Sequence, residues 1–209
     1  SERGIRSKAR EAKAVVPASL AASAPASVDS TTSIIVNRAS DALLLVDVQP
    51  DFCPGGPLAV GDGESVIAPL NNAVNWFDTV ITSQDWHPPN HCSFAMDPRF
   101  ADGSWPVHCV AGTRGAALHP KLRLPRHTYN VLKGTDADAE AYSAFDGTGL
   151  TEWLRHRGIT RLFVGGLATD YCVRASVLDA RRDGFQVVLL ADAVRAVGGA
   201  EATLNTFEE

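Results

Sequence analysis

Residues 41–49 read DALLLVDVQ, an unbroken apolar run with polar residues at both ends. A run of Leu and Val without polar alternation is typical of a strand that is buried on both faces, as in a parallel sheet. Four later stretches also read as strands, namely TVITSQ at 79–84, HTYNVLKG at 127–134, RLFVGG at 161–166 and FQVVLLAD at 185–192. The sequence therefore predicts five strands, the first of which begins at Asp41.

Helical patterns lie between these strands. They are ESVIAPLNNAVNWF at 64–77, GLTEWLRHRG at 149–158 and CVRASVLDARRDG at 172–184, and a last helix is expected in GGAEATLNTFEE at 198–209. A long loop rich in Pro, Gly and His precedes the third strand. Strands that alternate with helices indicate βαβ units with right-handed crossovers. The predicted fold class is α/β, a three-layer α/β/α sandwich with a mostly parallel central sheet.

Composition narrows the classes of function. The chain has 209 residues, of which 45% are hydrophobic and 21% charged, and its formal net charge is -5. This charge predicts neither a nucleic-acid partner nor binding to an anionic membrane surface. No apolar run approaches the roughly 20 residues that a membrane helix requires. We therefore expect a small-molecule partner.

The four cysteines are Cys53, Cys92, Cys109 and Cys172, and none of them forms a CxxC pair. This spacing argues against a zinc ribbon and against a disulfide scaffold. A cysteine in such a chain is either a small core residue or a nucleophile. We expect a reducing compartment, most simply the cytoplasm.

Residues 1–40 differ from the rest of the chain, since they are rich in Ala and Ser, nearly free of aromatic residues and basic at the start. Such a composition buries too little apolar surface to offset the entropy of ordering. Three origins remain open: a flexible extension, the remnant of an organelle-targeting segment, and sequence from an expression vector. We expect one folded domain at 41–209, and an organellar location if the second origin is correct.

Reactive side chains follow the predicted strands at their carboxyl ends. Asp47 ends the first strand, Asp85 and His87 end the second, Lys133 ends the third, and Cys172 lies just past the fourth. Because ligands of open α/β sheets bind beyond the carboxyl ends of the strands, these residues should meet at one rim. Taken singly, an aspartate that caps a turn or a surface lysine would be the commoner explanation. Their convergence favours an active site.

Asp47 and Cys172 have the surroundings of a base and a nucleophile. Asp47 emerges from a buried strand, where desolvation should raise the pKa of its carboxyl group and suit it to act as a general base near neutral pH. Cys172 lies in the first turns of a helix that begins at about Thr169 or Asp170. The free N–H groups and partial positive charge there are expected to lower the pKa of its thiol and to bind an oxyanion.

The stretch SQDWHPPNHCSF at 83–94 has the spacing of a metal site. Asp85 and His87 share a face of an extended segment, His91 follows after a short turn, and His108 can return from the long loop. Two histidines and a carboxylate suit zinc, iron or manganese and leave positions open for water or a ligand. The remaining histidines have no such neighbours and are expected at the surface; they are His119, His127 and His156.

Five motifs occur in the order that is found in one family. They are DALLLVDVQPDFCPGGPLAV, SQDWHPPNHCSF, WPVHCVAGTRGA, VLKG and GGLATDYCVRAS. Over residues 41–209 the chain resembles the nicotinamidase/pyrazinamidase members of the isochorismatase-like cysteine hydrolases. That family continues past a helix like 198–209 into a closing strand, so the resemblance implies that this chain is truncated before a last strand.

The resemblance also assigns roles to residues. It implies a catalytic triad of Asp47, Lys133 and Cys172, and an oxyanion hole formed by the backbone N–H groups of Ala168 and Cys172 beside a cis peptide at Leu167–Ala168. It implies a divalent metal, zinc before iron or manganese, on Asp85, His87 and His108, with His91 a ligand in some members and an outer neighbour in others. It places Phe52 and Trp105 in the substrate pocket.

The activity implied is that of an amide hydrolase that converts nicotinamide to nicotinate and ammonia in NAD salvage, and that also accepts pyrazinamide. A cysteine thioester would be the intermediate, and the metal would hold the pyridine ring. The alternatives left open are a related hydrolase of another small amide or carbamoyl compound, a metallohydrolase with a structural cysteine, and a non-catalytic protein. A homo-oligomer is compatible with the resemblance.

Overall fold

A computed structural model describes residues 13–14 and 34–209 of the chain. The chain divides into two compact units, Ser1–Asn37 and Arg38–Glu209. In the first unit, β1 (Lys13–Ala14) pairs with β2 (Ile34–Ile35) in an antiparallel ladder. The expectation of a flexible or targeting extension over residues 1–40 falls mostly outside the described residues.

The second unit is built on a five-stranded sheet with the order β5-β4-β3-β6-β7. Every neighbouring pair in this sheet is parallel. The strands are β3 (Asp41–Val46), β4 (Thr79–Asp85), β5 (Tyr129–Lys133), β6 (Arg161–Leu167) and β7 (Gln186–Arg195). All five predicted strands are confirmed, and the run that begins at Asp41 is the central one.

The position of β3 explains its sequence. Each of its six residues is buried, and the strand pairs with β4 along one edge and with β6 along the other. A strand that has neighbours on both edges and side-chain layers on both faces favours apolar residues. Its one polar residue, Asp41, is at its first position and pairs with Arg161. The chain therefore begins its sheet in the middle, extends it to β4 and β5, and returns to add β6 and β7.

The helices are α1 (Ile67–Ala73), α2 (Leu150–His156), α3 (Arg174–Arg182) and α4 (Gly199–Glu208). The helix predicted at 64–77 is instead three pieces, since short 3-10 turns at Gly63–Val66 and Val74–Trp76 flank α1. Pro69 lies in the first turn of α1 and has no N–H to donate to the preceding turn. A regular α-helix therefore begins only at Ile67.

Side chains on the two faces of the sheet pack against different helices. Val164 of β6 belongs to a buried cluster that contains Leu154 of α2 and Ala180 of α3. The next residue, Gly165, points to the opposite face, where a Cβ would lie 2.9 Å from a methyl group of Leu70 in α1. Helices thus cover both faces, and the three-layer sandwich is confirmed.

The long connection between β4 and β5 carries only isolated bridges, one between His87 and Val110 and one between Phe94 and Trp105. It leaves the sheet at the carboxyl end of β4 and returns to it at the amino end of β5, because the two strands are parallel. Within residues 13–14 and 34–209, the helices are all too short or too polar to traverse a lipid bilayer.

Candidate active site

The site lies where the strand order reverses, at the carboxyl ends of β3 and β6. Asp47 directly follows β3, is fully buried and has a left-handed φ of 48°. Its N–H donates to the carbonyl of Ser83, and the hydroxyl of Ser83 donates to its Oδ1 at 2.6 Å. These bonds fix the carboxylate against β4 and leave Oδ2 directed at other groups.

Lys133 joins the reactive side chains. Its Nζ lies 2.8 Å from Oδ2 of Asp47 and 2.5 Å from Oδ1 of Asp85. It also donates to Sγ of Cys172 at 3.3 Å and to the carbonyl of Ala141 at 3.2 Å. The predicted convergence of Asp47, Lys133, Asp85 and Cys172 at one rim is therefore confirmed.

The buried charges shift one another's pKa values. Burial raises the pKa of Asp47 above its ordinary value, although Lys133 opposes the rise. Burial acts in the same direction on Asp85, but Lys133 and His87 outweigh it, so that the pKa of this carboxyl group is lowered. For Lys133, the two carboxylates overcome burial and raise the pKa of the ammonium group. Lys133 is thus a fixed cation, and Asp47 is the more easily protonated of the two acids.

Cys172 lies in the helical segment Thr169–Val173 that leads into α3, where the sequence predicts the helix to begin. The expectation of a lowered thiol pKa is wrong for this structure. Burial raises the pKa of Cys172 well above its usual value; Lys133 opposes this rise, and Asp47 and Asp85 add to it. The resting sulfur is therefore a thiol, and a base must remove its proton before it can attack.

A base is within reach of the thiol. Ligand atoms of Asp47, Asp85 and Cys172 all lie within 4.8 Å of one another. Oδ2 of Asp47 is buried and makes an ion pair with Lys133. A carboxylate oxygen has two lone pairs, so Oδ2 can also accept a proton.

The expected cis peptide is present between Leu167 and Ala168. The carbonyl of Ala168 accepts the N–H groups of Tyr171 and Val173, so that the turn closes over the end of β6. Ala168 and Cys172 line the same cavity. Their backbone N–H groups remain the predicted oxyanion hole.

Asp85, His87 and His108 form a buried set of metal donors. Their ligand atoms lie within 4.8 Å of one another, and the Nε2 atoms of His87 and His108 are 3.4 and 3.8 Å from Oδ2 of Asp85. The Nδ1 atoms of the two rings are 2.8 and 2.7 Å from the carbonyls of Gly134 and Pro106. A carbonyl at Nδ1 selects the tautomer that leaves Nε2 free to bind a metal. The donor set therefore suits a divalent metal ion.

His91 stands beside this set. Its ring centroid is 4.1 Å from that of His87, and its two nitrogens are close to the hydroxyl of Ser93 and the carbonyl of Ala139. It forms a second group of possible ligands with His87 and Glu140. The role of His91 as a further ligand remains a prediction.

The cavity above Cys172 has aromatic walls. Both predicted pocket residues, Phe52 and Trp105, line it. Trp105 donates from its indole nitrogen to the hydroxyl of Tyr142 at 3.1 Å and meets Tyr171 edge to face, with centroids 5.0 Å apart. Further lining residues are Asp85, His108 and Glu140. The cavity thus joins the thiol to the metal donors.

Sequence reasoning missed several of these residues. Tyr142 and Glu140 lie in a loop after β5, and Tyr171 directly precedes Cys172, but no spacing rule directs them to the cavity. Gln49 is also missed, although its side-chain amide binds both the N–H and the carbonyl of Asp85. Gln49 lies two residues after Asp47 in the same motif, and this position could have indicated that its side chain is near the site.

One histidine departs from expectation. His119 was expected at the surface but is buried, with Nε2 3.5 Å from Glu64. Its N–H donates to the carbonyl of Val48, and this bond draws the loop onto the end of β3. His127 and His156 are exposed, as predicted.

Comparison with known proteins places this site in a family. Residues 41–207 match the isochorismatase domain. The nicotinamidase of Escherichia coli is 44% identical over 177 residues, which span 75% of this chain and 83% of that protein.

Solved structures agree with the sequence match. The pyrazinamidase of Pyrococcus horikoshii, solved in complex with zinc, has a TM-score of 0.74 and 42% identity, covering 81% of this chain and 93% of that one. PnC1 of L. infantum, solved in complex with nicotinate, has a TM-score of 0.75 and 40% identity, covering 83% of this chain and 89% of that one. On its fold and its sequence, the chain belongs to the isochorismatase family.

Proposed function

We propose that the protein is a nicotinamidase that hydrolyses nicotinamide to nicotinate and ammonia in NAD salvage, with pyrazinamide as a second substrate. The observation that carries the proposal is the contact of Lys133 with Asp47, Asp85 and Cys172. This contact brings together a thiol (Cys172), a base (Asp47), a cation (Lys133) and one of the metal donors (Asp85). Two of these partners, Asp85 and Cys172, line the aromatic cavity. Relatives named as nicotinamidases support the choice of substrate.

The first step is activation of the thiol. Oδ2 of Asp47 takes the proton of Cys172, and the sulfur attacks the carboxamide carbon as the proton leaves. Lys133 remains charged throughout and compensates the negative charge that passes between the two groups. The raised pKa of Asp47 favours this transfer, because a carboxylate that binds a proton more readily is a stronger base.

The second step is collapse of the tetrahedral adduct. The N–H groups of Ala168 and Cys172 would hold its oxyanion, and Asp47 would return the proton to departing ammonia. The product is a thioester between Cys172 and the nicotinoyl group. Asp47 would then deprotonate a water molecule, which attacks the thioester, releases nicotinate and restores the thiol.

Asp85, His87 and His108 would hold the metal, which we propose to be zinc, as in the P. horikoshii structure. When bound, the ion supplies a Lewis-acidic centre that attracts the pyridine nitrogen. Phe52 and Trp105 would enclose the ring. The bond-breaking chemistry itself is assigned to Asp47, Lys133 and Cys172.

A cytoplasmic location is part of the proposal. All four cysteines are free, and three of them are buried. An enzyme whose nucleophile is a thiol is suited to a reducing compartment, where that thiol is not lost to oxidation.

The test is ammonia release from nicotinamide by the purified protein and by Cys172→Ala. We expect the variant to lose at least about a thousandfold in kcat while it retains its metal, because no other group can form the thioester. Cys53→Ala is the matched control, since Cys53 is also buried and burial raises its pKa to about 11, but it lies outside the cavity. We expect this control to keep its activity.

The same assay separates the metal from the nucleophile. Removal of the metal by a chelator should raise KM for nicotinamide, and added zinc should restore it. If Cys172→Ala works and only the stripped protein is inactive, the nucleophile is not the cysteine and the proposed mechanism is wrong. If the protein does not release ammonia from nicotinamide at all, the proposed function is wrong.

A further inference from the structure

The carboxylate of Asp170 ties the nucleophile's helix to a distant turn of the chain. Oδ1 accepts the N–H of Val197 at 2.9 Å, and Oδ2 accepts the N–H of Gly198 at 3.0 Å. Both oxygens are thus engaged by consecutive backbone donors, 27 and 28 residues away in sequence. Asp170 itself lies two residues before Cys172, so the turn is fixed relative to the reactive sulfur.

The turn that Asp170 holds is part of the cavity. Val197 lines the same cavity as Ala168 and Cys172. Its side chain is 40% exposed, which places it where the cavity meets solvent. The residue before it, Ala196, is buried, and its carbonyl accepts the N–H of Gly199. The turn therefore presents a single apolar side chain to the cavity.

The contact depends on close approach of the backbone. A Cβ on Gly198 would lie 2.6 Å from the Cβ of Ala202 in α4 and 3.4 Å from Oδ2 of Asp170. The absence of a side chain at position 198 allows α4 and the Asp170 carboxylate to approach the turn together. Hydrogen bonds to a carboxylate are stronger than those between neutral groups. The turn is thus held from two sides, by α4 and by Asp170.

We propose that Val197 determines which ring substituents the site accepts and that Asp170 is the positioning residue that holds Val197 in place. The inference rests on the proposed function, because it names a selectivity of the same site. Val197 limits the space for the ring on the solvent side of the cavity. Asp170 keeps the side chain of Val197 at a constant distance from Cys172.

The experiment compares kcat/KM for nicotinamide with kcat/KM for its 5-methyl and 6-methyl derivatives. Val197→Ala should raise the relative kcat/KM of at least one methylated substrate by about tenfold, since one methylene in an apolar pocket is worth roughly 10- to 200-fold. Asp170→Asn should change the ratio in the same direction, because its amide NH₂ would face a backbone N–H. The double variant should change it no more than the larger single change, since both act on one wall.

The matched control is Asp192→Asn, which removes an exposed carboxylate from β7. It should leave the ratio at the wild-type value. If Asp170→Asn lowers kcat for all three substrates equally and the ratio stays constant, Asp170 has only a structural role and the inference is overturned. A constant ratio in Val197→Ala overturns it as well. If the wild type releases no ammonia from nicotinamide, the proposed function and this inference both fall.

Discussion

Ser83 changes the pKa of the proposed base, Asp47, through a hydrogen bond to its carboxylate. Its hydroxyl donates to Oδ1 of Asp47 and stabilises the ionised carboxylate, so it lowers the pKa of Asp47 against the larger effect of burial. Removal of this hydroxyl should therefore raise the pKa of Asp47 further. Asp47 must be ionised to accept the thiol proton. As the solution is acidified, a protein without this hydroxyl should therefore lose activity at a higher pH than the wild type does.

We predict that Ser83→Ala moves the acidic limb of the pH profile of kcat/KM to higher pH. The control is Thr82→Val, which removes the neighbouring hydroxyl of the same strand; that hydroxyl donates to Asn130 and not to Asp47. This control should keep the wild-type limb. A limb at the same pH in both variants would show that Asp47 is not the base that the limb reports.

Single residues also mark where sequence reasoning works and where it stops. Asp47 and Lys133 could be placed from the sequence because each follows an apolar run, and such runs indicate strand ends. His119 could not, because its burial depends on a bond to Val48 and on Glu64, which are distant in sequence. The prediction of a lowered pKa for the thiol of Cys172 was also wrong, because burial raises that pKa and two nearby carboxylates add to the rise.

At the level of elements, the end of β5 supports the metal donors through Gly134. This glycine has a φ of 60°, and a Cβ there would lie 2.4 Å from Cε1 and 2.6 Å from Nδ1 of His87. Its carbonyl also contacts that Nδ1 at 2.8 Å. A side chain at position 134 would therefore push the ring of His87 out of its present position.

Gly134→Ala should weaken zinc binding by about tenfold or more, the usual cost of disturbing the support of a metal ligand. Metal content after dialysis against a graded chelator measures this. Gly147→Ala is the matched control, since Gly147 has a similar φ of 68° but nothing within 4 Å of the added Cβ. Equal loss in both variants would mean that backbone strain, rather than the clash with His87, weakens the site.

Elements differ in how far local sequence determines them. β3 and β6 are long apolar runs, and their predicted bounds agree with the structure within a few residues. β7 continues to Arg195, three residues past the predicted end, because it pairs with β6 again after a register shift. That continuation depends on pairing with another strand, which the local pattern of 185–192 does not contain.

For the whole molecule, Lys133 is the residue on which separate elements depend. It belongs to β5, and its ammonium group contacts Asp47 after β3, Asp85 at the end of β4 and Cys172 before α3. Without this cation, the two buried carboxylates would lose the counter-charge that they share. Breaking a buried ion pair from one side typically costs about 3–5 kcal/mol.

We therefore predict that Lys133→Met lowers the free energy of unfolding by about 3–5 kcal/mol, measured by guanidinium denaturation of metal-free protein. Lys121→Met is the control, because Lys121 pairs with Glu64 at the surface, and its unfolding midpoint should scarcely change. A small loss in Lys133→Met would mean that Asp47 and Asp85 take up protons when the cation is removed.

The central place of β3 has a consequence for synthesis on the ribosome. Asp41 and Arg161 lie side by side in the finished sheet, yet they are separated by 120 residues of chain. At about 5–20 residues per second, the second partner of β3 is made roughly 6–24 seconds after the first strand emerges. During that interval an apolar strand has one open edge, which is the kind of edge that recruits other chains. The nascent chain should therefore depend on chaperones until β6 has been translated.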